Sequence, residues 1–302
     1  MRLPEQFRRT VTETYPGGAL WLQELPGRIE EISRRWLLSV GSPFPNLSFN
    51  FVAPVSLPDT TEAVLKLGPP NTELSSEIEV LRIYDGNGCV RLLAAEPDAG
   101  AVLMERLRPG AMLATLENDE IATNVAANIM RKLWRPLPTD HLFPTLTRWF
   151  QALTELRCKF DGGTGPIPPR LFAEAESLFR DLISSHGESV LLHGDIHHFN
   201  ILSAHRALWL AIDPKGIAGE REFDTAQFLL NPWPKLLEQP DPDRILARRI
   251  DQFSEELGFD RARIRGWGIC NAVLSACWDA EKPNCNHRYD LEVAERLSGL
   301  GV

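Results

Sequence analysis

This sequence of 302 residues has few cysteines, few lysines and no long hydrophobic run. Its five cysteines form no Cys-x-x-Cys pair, so neither a redox disulfide nor a zinc knuckle is predicted. Cys270, Cys277, Cys285 and His287 are spaced too widely for such a knuckle. No run of about 18 apolar residues occurs, and the N-terminus has no apolar segment of signal-peptide length, which predicts neither a membrane span nor export. The expected compartment is the reducing cytoplasm.

Positive charge is also scarce, with 32 Lys and Arg against 41 Asp and Glu and a formal net charge of −9. The sequence therefore predicts no nucleic-acid partner, because a sequence-independent grip on phosphate backbones needs positive charge. A cationic small ligand would meet a favourable field. Six of the basic residues are lysines, and Lys66 is the single one in the first 131 positions.

The amino-acid composition is that of an ordinary globular protein, 43% hydrophobic and 24% charged, and the sequence has no repeats or low-complexity tracts. Collagen-like, disordered and coiled-coil chains are excluded. Hydrophobic periodicity and Gly/Pro positions divide the chain into three regions: a helical extension over residues 1–40, a small sheet-containing lobe over 41–107 and a larger, mainly helical lobe over 108–302. This pattern is typical of an α+β fold.

Apolar residues at period 2 or period 3.6 locate the elements within these regions. Strands are predicted at residues 49–55, 63–67, 90–93, 101–105, 190–192 and 208–212. Helices are predicted at residues 72–84, 119–134, 145–160, 171–183, 223–230, 243–257, 261–280 and 288–299. The N-terminal extension is expected to form one or two short helices, with Pro26 in the first turn of a helix that runs to Trp36.

The stretch from His193 to Asn200, His-Gly-Asp-Ile-His-His-Phe-Asn, is a polar octet between two apolar segments. Functional side chains concentrate on loops of this kind, which rigid elements hold in place. Asp195 and Asn200 have the Asp-x-x-x-x-Asn spacing in which a carboxylate accepts a proton from a substrate hydroxyl and an amide oxygen binds magnesium. Asp213 follows the next apolar strand, in Ile-Asp-Pro-Lys-Gly, and its carboxylate is a candidate for a second bond to Mg²⁺.

These motifs resemble the aminoglycoside phosphotransferase superfamily, and more narrowly the aminoglycoside/hydroxyurea antibiotic-resistance kinase group, which includes streptomycin 6-phosphotransferases. The resemblance rests on Leu-His-Gly-Asp-Ile-His-His-x-Asn-Ile-Leu, Ala-Ile-Asp-Pro-Lys-Gly and Ala-Val-Leu-Ser-Ala-Cys-Trp, and it spans residues 45–281. It implies a protein-kinase-like bilobal fold with the active site in the cleft between the lobes. It also implies a reaction that uses ATP or GTP together with Mg²⁺.

The same resemblance implies roles for individual residues. Asp195 is the expected catalytic base, and Asn200 and Asp213 are the expected magnesium ligands. Lys66 is expected to bind the α- and β-phosphates, since it stands in Ala-Val-Leu-Lys-Leu, a strand similar to the Val-Ala-Ile-Lys of protein kinases. A surface position on an edge strand is the alternative for Lys66.

A lysine in a buried strand needs a counter-charge, because a lone buried charge is costly. Glu77 on the following helix is the predicted partner of Lys66, and Glu73, one turn earlier, is the second choice. Residues 104–107, Met-Glu-Arg-Leu, resemble the kinase hinge. Glu105 and Leu107 are therefore expected to bind adenine through their backbone groups.

The sequence departs from the protein-kinase pattern in two places. No Gly-x-Gly-x-x-Gly occurs, and the candidate nucleotide loop at residues 42–49 has no glycine, which leaves open which backbone amides contact phosphate. Pro214 also stands where kinases have the Phe of Asp-Phe-Gly. An activation-loop switch of the protein-kinase type is not expected.

Four polar neighbours of the motif have structural interpretations. His193 is expected to hold the loop by hydrogen bonding to backbone. His197 and His198 are expected to pack within the loop and not to bind zinc, because adjacent side chains diverge. Asp224, at a predicted helix start, is interpreted as a cap or as an anchor for the loop.

The sequence thus predicts a kinase that transfers the γ-phosphoryl group to a hydroxyl of a small polar molecule, such as a streptomycin-like aminoglycoside or a hydroxyurea-like antibiotic. Asp279 and Glu281 are candidates for binding a cationic acceptor. A kinase of another metabolite and a nucleotide-binding pseudokinase module are the alternatives, and monomer and homodimer are both open. A two-metal phosphoesterase is disfavoured, since the further Gly-Asp and Gly-Asn-His segments that it needs are absent.

Overall fold

The computed structural model describes residues 3–280 and 287–301, and the chain divides into two compact units, Met1–Gly110 and Ala111–Val302. Glu281 and Cys285 lie outside the described residues. The cysteines within the described ranges are free thiols. No helix in these ranges is long and apolar enough to cross a membrane.

The first unit, as described from residue 3 onwards, combines three helices with a five-stranded antiparallel sheet. The helices are α1 (Glu5–Thr14), α2 (Gly18–Trp36) and α3 (Thr72–Tyr84). The strands are β1 (Ser39–Val40), β2 (Phe51–Ser56), β3 (Glu62–Leu67), β4 (Leu92–Glu96) and β5 (Ala101–Glu105), in the spatial order β1-β2-β3-β5-β4. Because β3 is the central strand, both its neighbours shield it from solvent.

One hydrophobic cluster joins the two N-terminal helices to this sheet. Phe7 and Val11 of α1 and Leu25 of α2 belong to the same buried cluster as Phe51 of β2 and Leu65 of β3. Residues along β2 alternate between buried and more accessible positions, as a strand with one core-facing side must. Each such side chain contributes about 1.5–3 kcal/mol on full burial, so α1 and α2 share the core of the sheet.

The predicted helix start at Pro26 is wrong. Pro26 lies inside α2, which begins at Gly18. A proline there removes one i to i−4 hydrogen bond. Leu25 before it and Ile32 after it are both buried in the same cluster, and this continuous apolar stripe keeps the helix intact across the proline.

Among the described residues, the second unit contains most of the helices and two small three-stranded sheets. The helices are α4 (Asp119–Leu133), α5 (Leu146–Trp149), α6 (Gln151–Lys159), α7 (Pro169–Ser184), α8 (Asp224–Leu229), α9 (Pro242–Leu257), α10 (Arg261–Ala280) and α11 (His287–Gly299). The strands are β6 (Pro109–Met112), which begins at the unit boundary, β7 (Arg135–Pro136), β8 (Val190–Leu192), β9 (Ile201–Ala204), β10 (Trp209–Ala211) and β11 (Ile217–Gly219). The sheet orders are β10-β9-β6 and β11-β8-β7.

The strand register brings two loops of this unit together. Leu192 at the end of β8 pairs with Ile217 at the start of β11, and Ile201 at the start of β9 pairs with Ala211 at the end of β10. The residues between β8 and β9 form the His-Gly-Asp loop (residues 193–200), and those between β10 and β11 form the Asp213 loop (residues 212–216). Because each loop starts and ends at these paired strand ends, the two lie side by side.

The single helix predicted at residues 145–160 is divided in two. Phe150 separates α5 from α6, and its N–H donates to the carbonyl of Leu146 at 2.9 Å. Its ring stacks on Phe179 at a centroid distance of 4.1 Å. The break is a tertiary effect that periodicity does not reveal. Strand β11, absent from the prediction, is three residues long and too short for a period-two pattern.

Candidate active site

Hydrogen bonds within the His-Gly-Asp loop join the two ends of the Asp-x-x-x-x-Asn motif, Asp195 and Asn200. The side-chain amide of Asn200 donates to the backbone carbonyl of Asp195 at 3.0 Å and to its Oδ2 at 3.2 Å. Asn200 is 8% exposed, whereas the Asp195 side chain is 23% exposed. A buried amide therefore fixes the orientation of a carboxylate that stays accessible to a substrate.

Gly194 is the residue in this loop whose position demands glycine. Its φ is +80°, and a Cβ there would lie 2.4 Å from Cδ1 of Ile217. Both the left-handed backbone and the missing Cβ are required. The loop thereby turns sharply enough to present Asp195 immediately after β8.

Asp224 at the start of α8 is an anchor of the loop, as predicted. Its Oδ1 accepts the N–H of Gly194 at 2.8 Å, and its Oδ2 accepts the N–H of His193 at 3.3 Å and the indole N–H of Trp134 at 3.0 Å. Burial raises the pKa of Asp224 to about 6, while the bonds from Gly194, Trp134 and His193 act in the opposite direction. At neutral pH the carboxylate is ionised and accepts all three donors.

Replacing Asp224 with asparagine is expected to loosen the loop. An amide has one acceptor oxygen, and its NH₂ group would face N–H donors. A buried donor without a partner costs about 1–3 kcal/mol, so we expect the free energy of unfolding in urea to fall by about 2 kcal/mol and turnover to fall with it. Asp98→Asn, at an exposed position, is the matched control. Wild-type stability of the Asp224 variant would contradict the anchoring role.

His193 has the structural role that the sequence predicts. Its Nε2 lies 2.9 Å from the carbonyl of Ile212, and its Nδ1 accepts the N–H of Asp195 at 3.1 Å. These bonds define a neutral tautomer with the proton on Nε2. Burial lowers the pKa of His193 to about 3. The ring thus links the His-Gly-Asp loop to the Asp213 loop without changing charge near neutral pH.

His197 and His198 pack within the loop, as expected. Nε2 of His197 lies 3.5 Å from Oδ1 of Asp195. His198 is 2% exposed. Arg249 donates to Nε2 of His198 at 3.3 Å, and Asp119 in turn accepts a hydrogen bond from Arg249. Within the described ranges no cluster of three or more His, Cys, Asp or Glu side chains is arranged to hold a metal.

Asp213 occupies a strained backbone position in the neighbouring loop. Its φ is +56°, a left-handed value that costs energy for a residue other than glycine. The carbonyl of Asn200 accepts the N–H of Ile212 at 2.9 Å, and the carbonyl of His193 accepts the N–H of Lys215 at 2.8 Å. Backbone bonds on either side therefore fix Asp213 beside the His-Gly-Asp loop.

In the first unit, Lys66 has the counter-charge that the sequence predicts. Its Nζ lies 2.7 and 2.8 Å from the two carboxylate oxygens of Glu77. Lys66 and Glu77 are both 5% exposed, while Glu73, the second choice, is exposed. Lys66 also lies on the central strand β3, so its interpretation as an edge-strand surface residue is wrong.

Comparison with known proteins decides the family. The model of the family described as aminoglycoside/hydroxyurea antibiotic resistance kinase matches residues 35–282. The chain belongs to this kinase family. Streptomycin 6-kinase of Streptomyces glaucescens is 34% identical over 292 residues, which cover 93% of this chain and 92% of the relative. Hydroxyurea phosphotransferase of Kitasatospora aureofaciens is 33% identical over 273 residues, covering 87% and 76% respectively.

Solved structures agree on the fold of this kinase. Aminoglycoside phosphotransferase APH(4)-Ia has a TM-score of 0.66 at 13% identity, covering 91% of this chain and 100% of that one. Choline kinase LicA from Streptococcus pneumoniae has a TM-score of 0.64 at 14% identity, covering 91% and 98%. The predicted kinase-like α+β fold, the family and the class of reaction, phosphoryl transfer to small molecules, are confirmed.

The oxygen donors of this kinase fit Mg²⁺. The amide nitrogen of Asn200 is bound to Asp195, which leaves its oxygen as the atom for a cation, and Asp213 offers a carboxylate. Mg²⁺ prefers hard oxygen ligands and keeps several waters and phosphate oxygens in its shell, so it needs only one or two protein ligands. The donor set therefore matches magnesium bound together with a nucleotide.

Glu105, proposed to bind adenine in this kinase, ends strand β5. Its carboxylate accepts the N–H of Arg91 at 2.7 Å, and its own N–H donates to the carbonyl of Arg91 at 3.0 Å. Leu107 is 9% exposed. These bonds use both the side chain and the backbone N–H of Glu105 within the first unit, so binding of adenine through the backbone of residues 104–107 stays a prediction.

Asp279, the candidate for acceptor binding, is half-buried in the last turn of α10, and Glu281 lies outside the described residues. Asp290 of α11 is near enough for Asp279 to affect its pKa, which burial raises to about 6 against a hydrogen bond from Ser275. Trp278, next to Asp279, is 36% exposed and meets Trp149 edge to face at 5.3 Å. Acidic and aromatic groups thus lie together at this end of α10.

Several residues that shape the site of this kinase were not predicted. Trp134 donates a hydrogen bond to Asp224 from 90 positions away. Arg249 contacts His198 and is itself held by Asp119. Trp134 ends a predicted helix, and Arg249 lies within one. Neither position carries a motif, so single-sequence reasoning has no signal for them.

Proposed function

We propose that this kinase transfers the γ-phosphoryl group of ATP to a hydroxyl group of an aminoglycoside antibiotic of the streptomycin type. The observation that carries the proposal is the geometry of the His-Gly-Asp loop. Asn200 orients the Asp195 carboxylate, and Asp224 holds the backbone of the loop. Relatives named streptomycin 6-kinase, at 31–34% identity over about nine-tenths of the chain, support this acceptor class.

Asp195 is the proposed base. Its carboxylate accepts the proton of the acceptor hydroxyl while that oxygen attacks the γ-phosphorus and the bond from phosphorus to the bridging oxygen of ADP breaks. A transition state of this kind needs positioning and electrostatic stabilisation more than covalent chemistry. The accessible carboxylate on a loop fixed by buried hydrogen bonds supplies the positioning.

Lys66 and the residues 104–107 are the proposed nucleotide contacts in the first unit. The two hydrogen bonds that the Lys66 ammonium donates to Glu77 fix its position, and the ammonium would bind the α- and β-phosphates. When bound by Asn200 and Asp213, magnesium neutralises phosphate charge. Free thiols and the use of ATP support a reducing, cytoplasmic site of action.

Asp279 is the proposed contact for the positive charge of an aminoglycoside. Asp279→Lys is expected to raise KM for streptomycin about tenfold or more, because a cation replaces a carboxylate beside a cationic substrate. KM for ATP should change little. Uncharged hydroxyurea, if it is accepted, serves as the control acceptor, since its KM should be insensitive to this charge. Equal KM values for streptomycin in the variant and the wild type would contradict the assignment.

The deciding experiment measures ADP formation with ATP and Mg²⁺ in the presence of streptomycin, other aminoglycosides or hydroxyurea, and identifies the product by mass. We expect a product with one added phosphoryl group from a streptomycin-type acceptor. Transfer to hydroxyurea alone would replace the aminoglycoside by a hydroxyurea-like molecule as the proposed acceptor. Thermal stabilisation by ATP without transfer to any acceptor would contradict the proposal and favour a nucleotide-binding module.

A further inference from the structure

Lys215 lies at the junction of the two loops that form the candidate active site. Its N–H donates to the carbonyl of His193 at 2.8 Å, and the N–H of Gly216 donates to the same oxygen at 3.3 Å. The flanking residues Asp213 and Gly216 both have positive φ, +56° and +71°. The backbone of Lys215 is therefore fixed against the residue that begins the His-Gly-Asp loop.

The side chain of Lys215 starts beside the residue that precedes Asp195. A Cβ placed on Gly194 would lie 3.4 Å from the Cβ of Lys215. Lys215 is half-buried, as Asp213 is. A lysine side chain extends about 6 Å beyond its Cα at the usual bond lengths, and this reach includes the space around the Asp195 carboxylate.

The charge of Lys215 acts on groups around Asp195. Burial lowers the pKa of His193 and His197, and the Lys215 ammonium lowers both further, while the carboxylate of Asp213 acts in the opposite direction. Nε2 of His197 lies 3.5 Å from Asp195 Oδ1. The Lys215 side chain thus begins beside the loop that carries Asp195 and two residues after Asp213. The proposed function assigns the base and a metal ligand to these two aspartates.

Two carboxylates next to each other repel an incoming triphosphate, since like charges a few ångströms apart interact unfavourably even at an effective dielectric constant of about 20. A lysine ammonium close to them would offset this repulsion. It also stabilises the negative charge on the phosphoryl oxygens during transfer, where a positioned cation has its largest effect.

We propose that Lys215 is a second phosphate-binding lysine, whose ammonium binds the γ-phosphoryl group during its transfer. This inference rests on the proposed function. Lys215 stays protonated throughout: the hydroxyl proton goes to Asp195, the new bond forms between the acceptor oxygen and phosphorus, and ADP leaves with the electrons of the broken bond. Lys66 binds the α- and β-phosphates and Lys215 the group that moves, so their contributions to kcat differ.

A purely structural role is the competing explanation. In that case Lys215 only offsets the charge of Asp195 and Asp213 in the folded protein. Its removal would then lower the melting temperature, while kcat per folded molecule would stay near the wild-type value. Because the backbone N–H of Lys215 makes the hydrogen bond to His193, substitutions of its side chain leave that bond in place.

The test compares Lys215→Met, which keeps the length of the side chain, with Lys215→Arg, which keeps the charge. We expect kcat of the Met variant to fall about 10²-fold, with KM for ATP and for the acceptor changed much less. The Arg variant should recover at least part of that loss. Lys132→Met, at an exposed helix position, is the control and should keep wild-type kcat. Melting temperatures with and without ADP and Mg²⁺ report folding and nucleotide binding.

A second variant tests whether a positive charge that is not attached to the loop can support turnover. Lys215→Ala should regain turnover when ethylammonium is added, whereas an uncharged alcohol of similar size should have no effect. A Met variant with kcat within about threefold of wild type overturns the inference. A loss of kcat that neither arginine nor ethylammonium restores overturns it too. If the wild-type protein phosphorylates no acceptor, the proposed function fails. The rates of ATP hydrolysis by the wild-type protein and the same variants then test the role of Lys215.

Discussion

Asp195→Ala is expected to lower kcat by about 10³-fold, because a positioned general base contributes about 10²–10⁴-fold to proton transfer. The affinity for ATP should stay within a small factor of wild type, since Asp195 is not among the proposed nucleotide contacts. Steady-state turnover with the accepted antibiotic and thermal stabilisation by ATP with Mg²⁺ measure the two effects separately.

The Asp195→Ala variant should fold, because two hydrogen bonds that hold the loop do not use the Asp195 carboxylate. Asn200 still donates to the Asp195 carbonyl at 3.0 Å, and Asp224 still accepts the N–H of Gly194 at 2.8 Å. Asp181→Ala, on the exposed side of α7, is the control for loss of a carboxylate. Turnover of the Asp195 variant equal to that of wild type would remove Asp195 from the mechanism.

Lys66→Met is expected to reduce both stability and nucleotide use. The substitution leaves the Glu77 carboxylate, 7% exposed, without the Lys66 ammonium. Removal of one partner of a buried ion pair costs about 3–5 kcal/mol, and loss of a charged phosphate contact should lower kcat/KM for ATP by about 10²-fold. Urea denaturation and ATP kinetics at saturating acceptor measure these effects.

The double variant Lys66→Met with Glu77→Leu separates the two roles. Replacement of a buried ion pair by apolar side chains of similar volume is often neutral or stabilising, so the double variant should unfold at a urea concentration near that of wild type. Its kcat/KM for ATP should stay low. Recovery of both stability and ATP use would show that Lys66 serves only the fold, and would contradict its role as a phosphate ligand.

The pairing of Lys66 with Glu77 shows how much of the site local reasoning predicts. A lysine in an apolar strand requires a nearby carboxylate, and the next helix offered two at one-turn spacing. The choice between Glu77 and Glu73 follows from which face of α3 meets the sheet, where Glu77 is buried and Glu73 is exposed. The type of partner was therefore predictable, and its identity required the packing of the helix.

The errors of the sequence-based prediction share one physical cause. Pro26 lies inside α2 because buried residues on both sides hold the helix together, and Phe150 divides a predicted helix where its ring stacks on Phe179. Local propensity is weak compared with the burial of large apolar side chains, which contributes about 1.5–3 kcal/mol each. Tertiary contacts therefore decide where helices start and break.

The sequence by itself determined the chemistry of this protein. The spacing of Asp195 and Asn200, the Asp213 motif and the single early lysine at Lys66 supply the reactive groups, and the resemblance of these motifs to antibiotic-resistance kinases predicts a small-molecule kinase. The tertiary structure alone decided how these groups are held. The contact of Asp224 with Trp134 and the position of Lys215 beside Gly194 join segments that are distant in the chain. Such contacts depend on which buried surfaces pack together, and no local pattern of residues encodes that.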